Sequence, residues 1–276
     1  MNNIAAFAAW ALAIFIWIYM MPILFVGTLM CLPFFVLVTP PLMLISFTWF
    51  YLVKDSFIPD GAIRSILNNL QYDKWFRQRM TFGTPSTPHL ITSHPHGVLC
   101  TAVLFGIHLS PKSTTRFAVS PWLFSIPLFG WVAHHAGCIP ATYDRILHSL
   151  ESSSVILVPG GVPELVTGVH YERRHGFIKI AKQSGVPILP IVSPQRYFDI
   201  LSLPLQDLRV YIAKTFGIPI MFPPMGWYGT WLPKRQPITF HVVDVFTVSS
   251  TGDIEEERQR YYSKIHKWSA IQTTQN

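Results

Sequence analysis

Hydrophobic and polar positions are spread unevenly along the 276-residue chain. From Met1 to Val53 there is no Asp, Glu, Lys or Arg, and the first charged side chain is Lys54. One bilayer crossing takes about 20 apolar residues, so this stretch has room for two segments, near Ile4 to Val26 and Leu29 to Val53. Pro22, Pro33 and the Pro40-Pro41 pair kink them or mark their turn, which favours a transmembrane or re-entrant hairpin over two straight helices. A cleavable signal peptide would need a positively charged start and a shorter apolar core.

Residues 54–87 mix charges with Trp75, Phe76 and Phe82 and read as an interfacial helical connector. Beyond them, β-prone and helix-prone segments alternate. His89 to Ser93, Arg116 to Val119, Ser154 to Val158 and Val186 to Val192 predict strands, the last two as fully buried apolar runs. Val98 to Phe105, a segment within Ile139 to Leu150, and Gly176 to Ser184 predict helices. A further strand is expected over Ile238 to Val248. A charged amphipathic helix is expected over Asp253 to Trp268, with Glu255, Glu256 and Glu257 in its first turn and Lys264 and Lys267 near its end, matching the helix dipole. Ile218 to Pro237 is rich in Pro, Gly and aromatics and reads as an apolar loop. The alternation predicts an α/β domain over 88–276, a mixed or largely parallel sheet flanked by helices.

Because residues 1–53 carry no charge, the whole net charge of +7 belongs to the remainder. Lys54, Arg64, Lys74, Arg77 and Arg79 follow the apolar stretch closely, which puts the domain on the cytosolic side of the membrane. The basic residues are dispersed and no nucleic-acid-binding pattern accompanies them, so membrane lipids or a phosphorylated cosubstrate are the expected partners rather than nucleic acid. Cys31, Cys100 and Cys138 are too few and scattered for a disulfide framework or zinc site.

The densest candidate chemistry is His94-Pro95-His96-Gly97, at an expected strand-to-helix junction. Two imidazoles held by a proline suit proton transfer, and Gly97 permits close approach of backbone to a ligand. A second constellation, Pro159-Gly160-Gly161-Val162-Pro163-Glu164, follows a buried strand directly, where ligands bind in α/β sheets. It reads as a turn in which Glu164 is the only carboxylate, placed to orient His96 or simply solvated. Arg173, Arg174 and Lys179 lie at and just inside a helix start, an arrangement suited to a phosphate. No metal site is expected: His94, His96, His134 and His135 lack the His-x-x-x-His spacing.

Together these motifs resemble the diacylglycerol acyltransferase type 2 family. The likeness rests on His94-Pro95-His96-Gly97, Gly137-Cys138-Ile139-Pro140, Gly160 to Glu164, Arg173/Arg174-x-Gly-Phe-x-Lys-x-Ala, Gly185-Val186-Pro187-Ile188-Leu189-Pro190-Ile191 and Leu232 to Ile238, all in order. It implies transfer of an acyl group from acyl-CoA to a lipid hydroxyl at the endoplasmic reticulum and lipid droplets, with no cofactor beyond that cosubstrate. Diacylglycerol is the expected acceptor; monoacylglycerol, a long-chain alcohol or a sterol are alternatives. A non-catalytic lipid-binding protein is the alternative of another class, and a homo-oligomer is left open. The resemblance makes His96 the general base, with His94 shaping the site and Glu164 supplying the acid. Gly97, Gly160, Gly161, Arg173, Arg174 and Lys179 are the expected substrate contacts. Two departures mark a divergent member: Ser193-Pro194-Gln195-Arg196 stands where Ser/Thr-Phe-Gly-Glu is usual, and Val242-Val243-Asp244-Val245 where Val-Val-Gly-x-Pro is usual.

Overall fold

The computed structural model describes residues 86–96, 115–125, 127–167, 172–193, 205–216, 226–230, 233–237 and 241–275. The hairpin expected over 1–53, nearly all of the connector expected over 54–87, Gly97 and the helix expected after it, Cys100 and residues 194–196 lie outside the described residues. Within them the elements are β1 (Leu90–His94), β2 (Arg116–Val119), α1 (Pro127–His135), β3 (Cys138–Pro140), α2 (Tyr143–Leu150), β4 (Val155–Leu157), α3 (Gly161–Thr167), α4 (Gly176–Ser184), β5 (Ile188–Val192), α5 (Gln206–Phe216), β6 (His241–Val242) and α6 (Ile254–Gln275).

The strands form one sheet in the order β3-β2-β4-β1-β5-β6. The first five are parallel and only β6 runs against its neighbour, so the expected mixed α/β sheet is present. β1 is central, and every one of its five residues is buried, as are all five of β5. Side chains alternate along a strand. Leu90, Val155, Leu157, Ile188 and Val192 point to one face and pack with Phe177, Ile178, Ile180 and Ala181 of α4 and Tyr261, Tyr262 and Ile265 of α6. Ile91, Ile156, Leu189 and Ile191 on the other face are equally buried. A Leu or Ile removed from water to this degree contributes about 1.5–3 kcal/mol.

Two differences from the sequence expectation concern the end of the domain. Of the strand expected over Ile238 to Val248, residues 238–240 lie outside the described residues; among the described ones it comprises β6 and an isolated bridge between Phe246 and Ile188. The helix expected to end near Trp268 runs to Gln275. Its N-terminus is capped as the sequence suggests: Asp253 Oδ2 accepts hydrogen bonds from the N–H groups of Glu255 and Glu256, at 2.9 and 3.4 Å.

α5 is turned unusually. Arg209 and Ala213 are its buried residues, while Leu208, Tyr211 and Phe216, with Leu205 just before it, are exposed. Among the described residues no helix is long and apolar enough to cross a membrane.

Candidate active site

The connection leaving β1 heads towards β2, and the one leaving β4 heads towards β5, so adjacent strands send their chains in opposite directions. Parallel sheets open a ligand crevice beyond the strand ends at such a point. The segments emerging there are Pro95-His96, after β1, and Val158 to Gly161, after β4.

His94 is the last residue of β1 and is 1% exposed, whereas His96 lies two residues on and is half-buried. The intervening His94–Pro95 peptide bond is cis. The ring of His94 points to the α6 side of the sheet, as does Thr92, two residues earlier. Tyr261 of α6 meets both: its hydroxyl lies 2.9 Å from His94 Nε2 and 2.6 Å from Thr92 Oγ1. Rings of Tyr261 and Tyr262 each stand 6.0 Å from that of His94. Burial pushes both phenols upwards, well above their ordinary range, and the Glu164 carboxylate adds to the shift in each.

Glu164 is not a solvated turn residue. It sits in the first turn of α3, 1% exposed, because the turn expected at Gly160 to Glu164 becomes helical at Gly161. Its carboxyl folds back over Gly160: a Cβ placed on Gly160 would lie 2.0 Å from Glu164 Oε2 and 2.7 Å from Glu164 Cβ. The negative group at this helix start is favoured by the exposed N–H dipoles. Gly161 adopts φ +56°, a conformation costly for any residue with a Cβ, and its N–H donates to the Val158 carbonyl at 3.1 Å. That N–H closes the turn after β4.

Arg173 and Arg174 are exposed before α4, and Lys179 is exposed on it. The guanidinium of Arg174 lies over Gly161, with Nη1 2.8 Å from where a Cβ would stand. The structure therefore brings Arg174 to the glycine turn from the other end of the connection. α6 secures this segment: Arg258 donates to the Glu172 carbonyl, and His266 pairs with the Glu172 carboxylate. α4 begins with no acidic residue in its first turn and no side-chain cap at His175.

Among the described residues no group of three or more His, Cys, Asp or Glu side chains is placed to hold a metal ion. His134 and His135 end α1, next to edge strand β3; their rings pack against each other, and that of His135 also packs against Trp131. The residues that sequence reasoning missed are Thr92, Tyr261 and Tyr262. The period of two that links Thr92 to His94 was a usable signal; nothing local linked Tyr261 to either.

Comparison with known proteins bears on the family. A family model described as diacylglycerol acyltransferase matches residues 34–267. Diacylglycerol O-acyltransferase 2-like protein 6 of Mus musculus is 23% identical over 302 aligned positions, covering 92% of this chain and 88% of that protein. Diacylglycerol O-acyltransferase 2 of Xenopus laevis is 24% identical over 265, covering 80% and 73%. 2-Acylglycerol O-acyltransferase 1 of Bos taurus is 26% identical over 216, covering 66% and 64%. Among solved structures, the 1-acyl-sn-glycerophosphate (LPA) acyltransferase PlsC from Thermotoga maritima superposes with a TM-score of 0.48 and 14% identity, over 85% of this chain and 97% of that one. With the family model spanning most of the chain and the histidine pair and glycine turn side by side at the strand ends, the chain belongs to the diacylglycerol acyltransferase family and is an acyltransferase.

Proposed function

We propose that this acyltransferase moves an acyl group from acyl-CoA to a lipid hydroxyl, with diacylglycerol as acceptor and triacylglycerol as product. His96 takes the proton of the hydroxyl as its oxygen attacks the thioester carbonyl. The carbon–sulfur bond then breaks, the ester remains, and the departing thiolate receives the proton. Backbone N–H groups near Gly97 or Gly160-Gly161 meet the developing oxyanion. Arg173, Arg174 and Lys179 bind the phosphates of coenzyme A, and Glu164 stabilises the positive charge that develops on the histidine side of the crevice.

The observation that carries this reading is the division of labour between the two histidines. His94 is buried with Nε2 engaged by Tyr261, while His96 stands half-buried where the crevice opens. A base must reach a lipid hydroxyl, which suits His96 and not His94. A membrane setting is supported by the uncharged stretch 1–53 and by the exposed apolar side of α5. We place the catalytic domain on the cytosolic side of the endoplasmic reticulum, with access to lipid droplets, and the organisation as hairpin 1–53, connector 54–87 and domain 88–276.

Expression in cells lacking neutral-lipid synthesis, followed by chromatography of the lipids formed, tests the acceptor. Triacylglycerol is expected; wax ester, sterol ester or diacylglycerol as sole product would reassign it. His96→Ala should lower the rate by about 10²–10⁴-fold, and near-normal turnover in that variant removes His96 as the base.

A further inference from the structure

The mechanism above gives His94 no proton to carry, yet its ring is held by a buried hydrogen bond. Tyr261, fully buried, reaches it from α6, and the same hydroxyl is bonded to Thr92 on the β1 face that His94 shares. Edge contacts with Phe177 and Phe246, at ring separations of 4.9 and 5.4 Å, keep the phenol from turning away. The neighbouring Tyr262 is also buried, but among the described residues its hydroxyl has no hydrogen-bond partner. The interaction is thus specific to one of two adjacent phenols.

The direction of the two bonds follows from donor and acceptor strengths. A phenol donates more strongly than an alkyl hydroxyl, and an imidazole nitrogen accepts more strongly than either oxygen. The matched order runs from the Thr92 hydroxyl to Tyr261 Oη and from the Tyr261 hydroxyl to His94 Nε2. Each bond then strengthens the other. In a neutral His94 ring this leaves the proton on Nδ1.

We propose that Tyr261 is a positioning residue of the active site, its hydroxyl, backed by Thr92, fixing the ring orientation and the Nδ1–H tautomer of His94 and so the placement of Pro95 and His96. Its effect on rate rests on the acyltransferase mechanism given above; its effect on the His94 ring does not.

The test uses the full-length chain in detergent micelles with ¹⁵N-labelled histidine, the His94 resonances being assigned with His94→Gln. In the parent chain His94 should show one neutral tautomer with an accepting, hydrogen-bonded Nε2. Tyr261→Phe, which keeps the ring and its edge contacts, should give mixed tautomers. The same variant should lower kcat for acyl transfer by about tenfold while moving KM for acyl-CoA by less than about twofold. Thr92→Val should shift both readouts in the same direction but less, and it serves if Tyr261→Phe does not fold. Tyr262→Phe should leave the His94 resonances as in the parent. An unchanged His94 spectrum in Tyr261→Phe and Thr92→Val, or an equal change in Tyr262→Phe, overturns the proposal. The expected tautomer change in a chain with no acyl transfer to any lipid hydroxyl supports the positioning role and overturns the acyltransferase mechanism instead.

Discussion

The carboxyl group of Glu164 occupies the space that a side chain on Gly160 would fill, with Oε2 2.0 Å from the absent Cβ. The spacing Gly-Gly-x-x-Glu thus has a steric meaning: four residues along a helix start return the acid to the residue that precedes it. Gly160→Ala should push the carboxyl aside, lowering stability by about 1–3 kcal/mol and acyl transfer by at least about tenfold. Glu164→Gln keeps the shape and removes the charge, so it should lower activity with a smaller change in melting temperature. Because the two residues touch, Gly160→Ala should cost less stability on a Glu164→Ala background than alone, a coupling that a double-mutant cycle measures.

Gly161 serves a different neighbour. Its Cβ position is 2.8 Å from Arg174 Nη1, and its φ of +56° disfavours a side chain independently. Arg174→Ala should raise KM for acyl-CoA about tenfold with kcat little changed, the pattern of a group that binds a phosphate equally in ground and transition states. Gly161→Ala should raise KM as well and also lower the melting temperature. An unchanged KM in Arg174→Ala would remove the phosphate role.

Stability should fall as pH rises past 10. Unfolded phenols lose their protons near that value, whereas burial, reinforced by Glu164, holds the protons of Tyr261 and Tyr262 to higher pH. Below pH 10 both states are protonated and the contribution is complete; above it only the unfolded state releases protons, so folding weakens. Chemical denaturation on either side of pH 10 measures this, with each such phenol contributing a slope of up to about 1.4 kcal/mol per pH unit. Tyr262→Phe should flatten the decline. An identical decline in that variant would place its cause elsewhere.

Asp253 caps α6 through the N–H groups of Glu255 and Glu256. Asp253→Ala should lower stability by about 1 kcal/mol and leave kcat unchanged, because Tyr261 lies two turns further on. Thermal melting and acyl-transfer assays on the same preparation check both statements.

The strands that organise the active site were legible because their apolar runs have no other use: Leu90 to Ser93, Val155 to Leu157 and Ile188 to Val192 are buried on both faces. α1, β3 and α5 were not. The sequence of α1 is apolar from Pro127 to Ala133 and contains Gly130, so it carries no helical stripe; β3 is three residues long; α5 buries Arg209 and exposes Leu208, which inverts the pattern that marks a helix. Glu164 was legible as a candidate but not as a buried helical residue, since nothing before Gly161 signals the helix start. Tyr261 was invisible because its partners lie 167 and 169 positions away, and only the packing of α6 on the sheet unites them.

That separation also has a consequence in time. Translation adds about 5–20 residues per second, so roughly 10–30 s pass between synthesis of His94 and of Tyr261. Over that interval the face of β1 that bears Leu90, Thr92 and His94 has no α6 to cover it. A nascent chain paused before α6 would present the part of that face which α4 does not cover to whatever surface is near, and the histidine coded early would reach its working surroundings among the last side chains to do so.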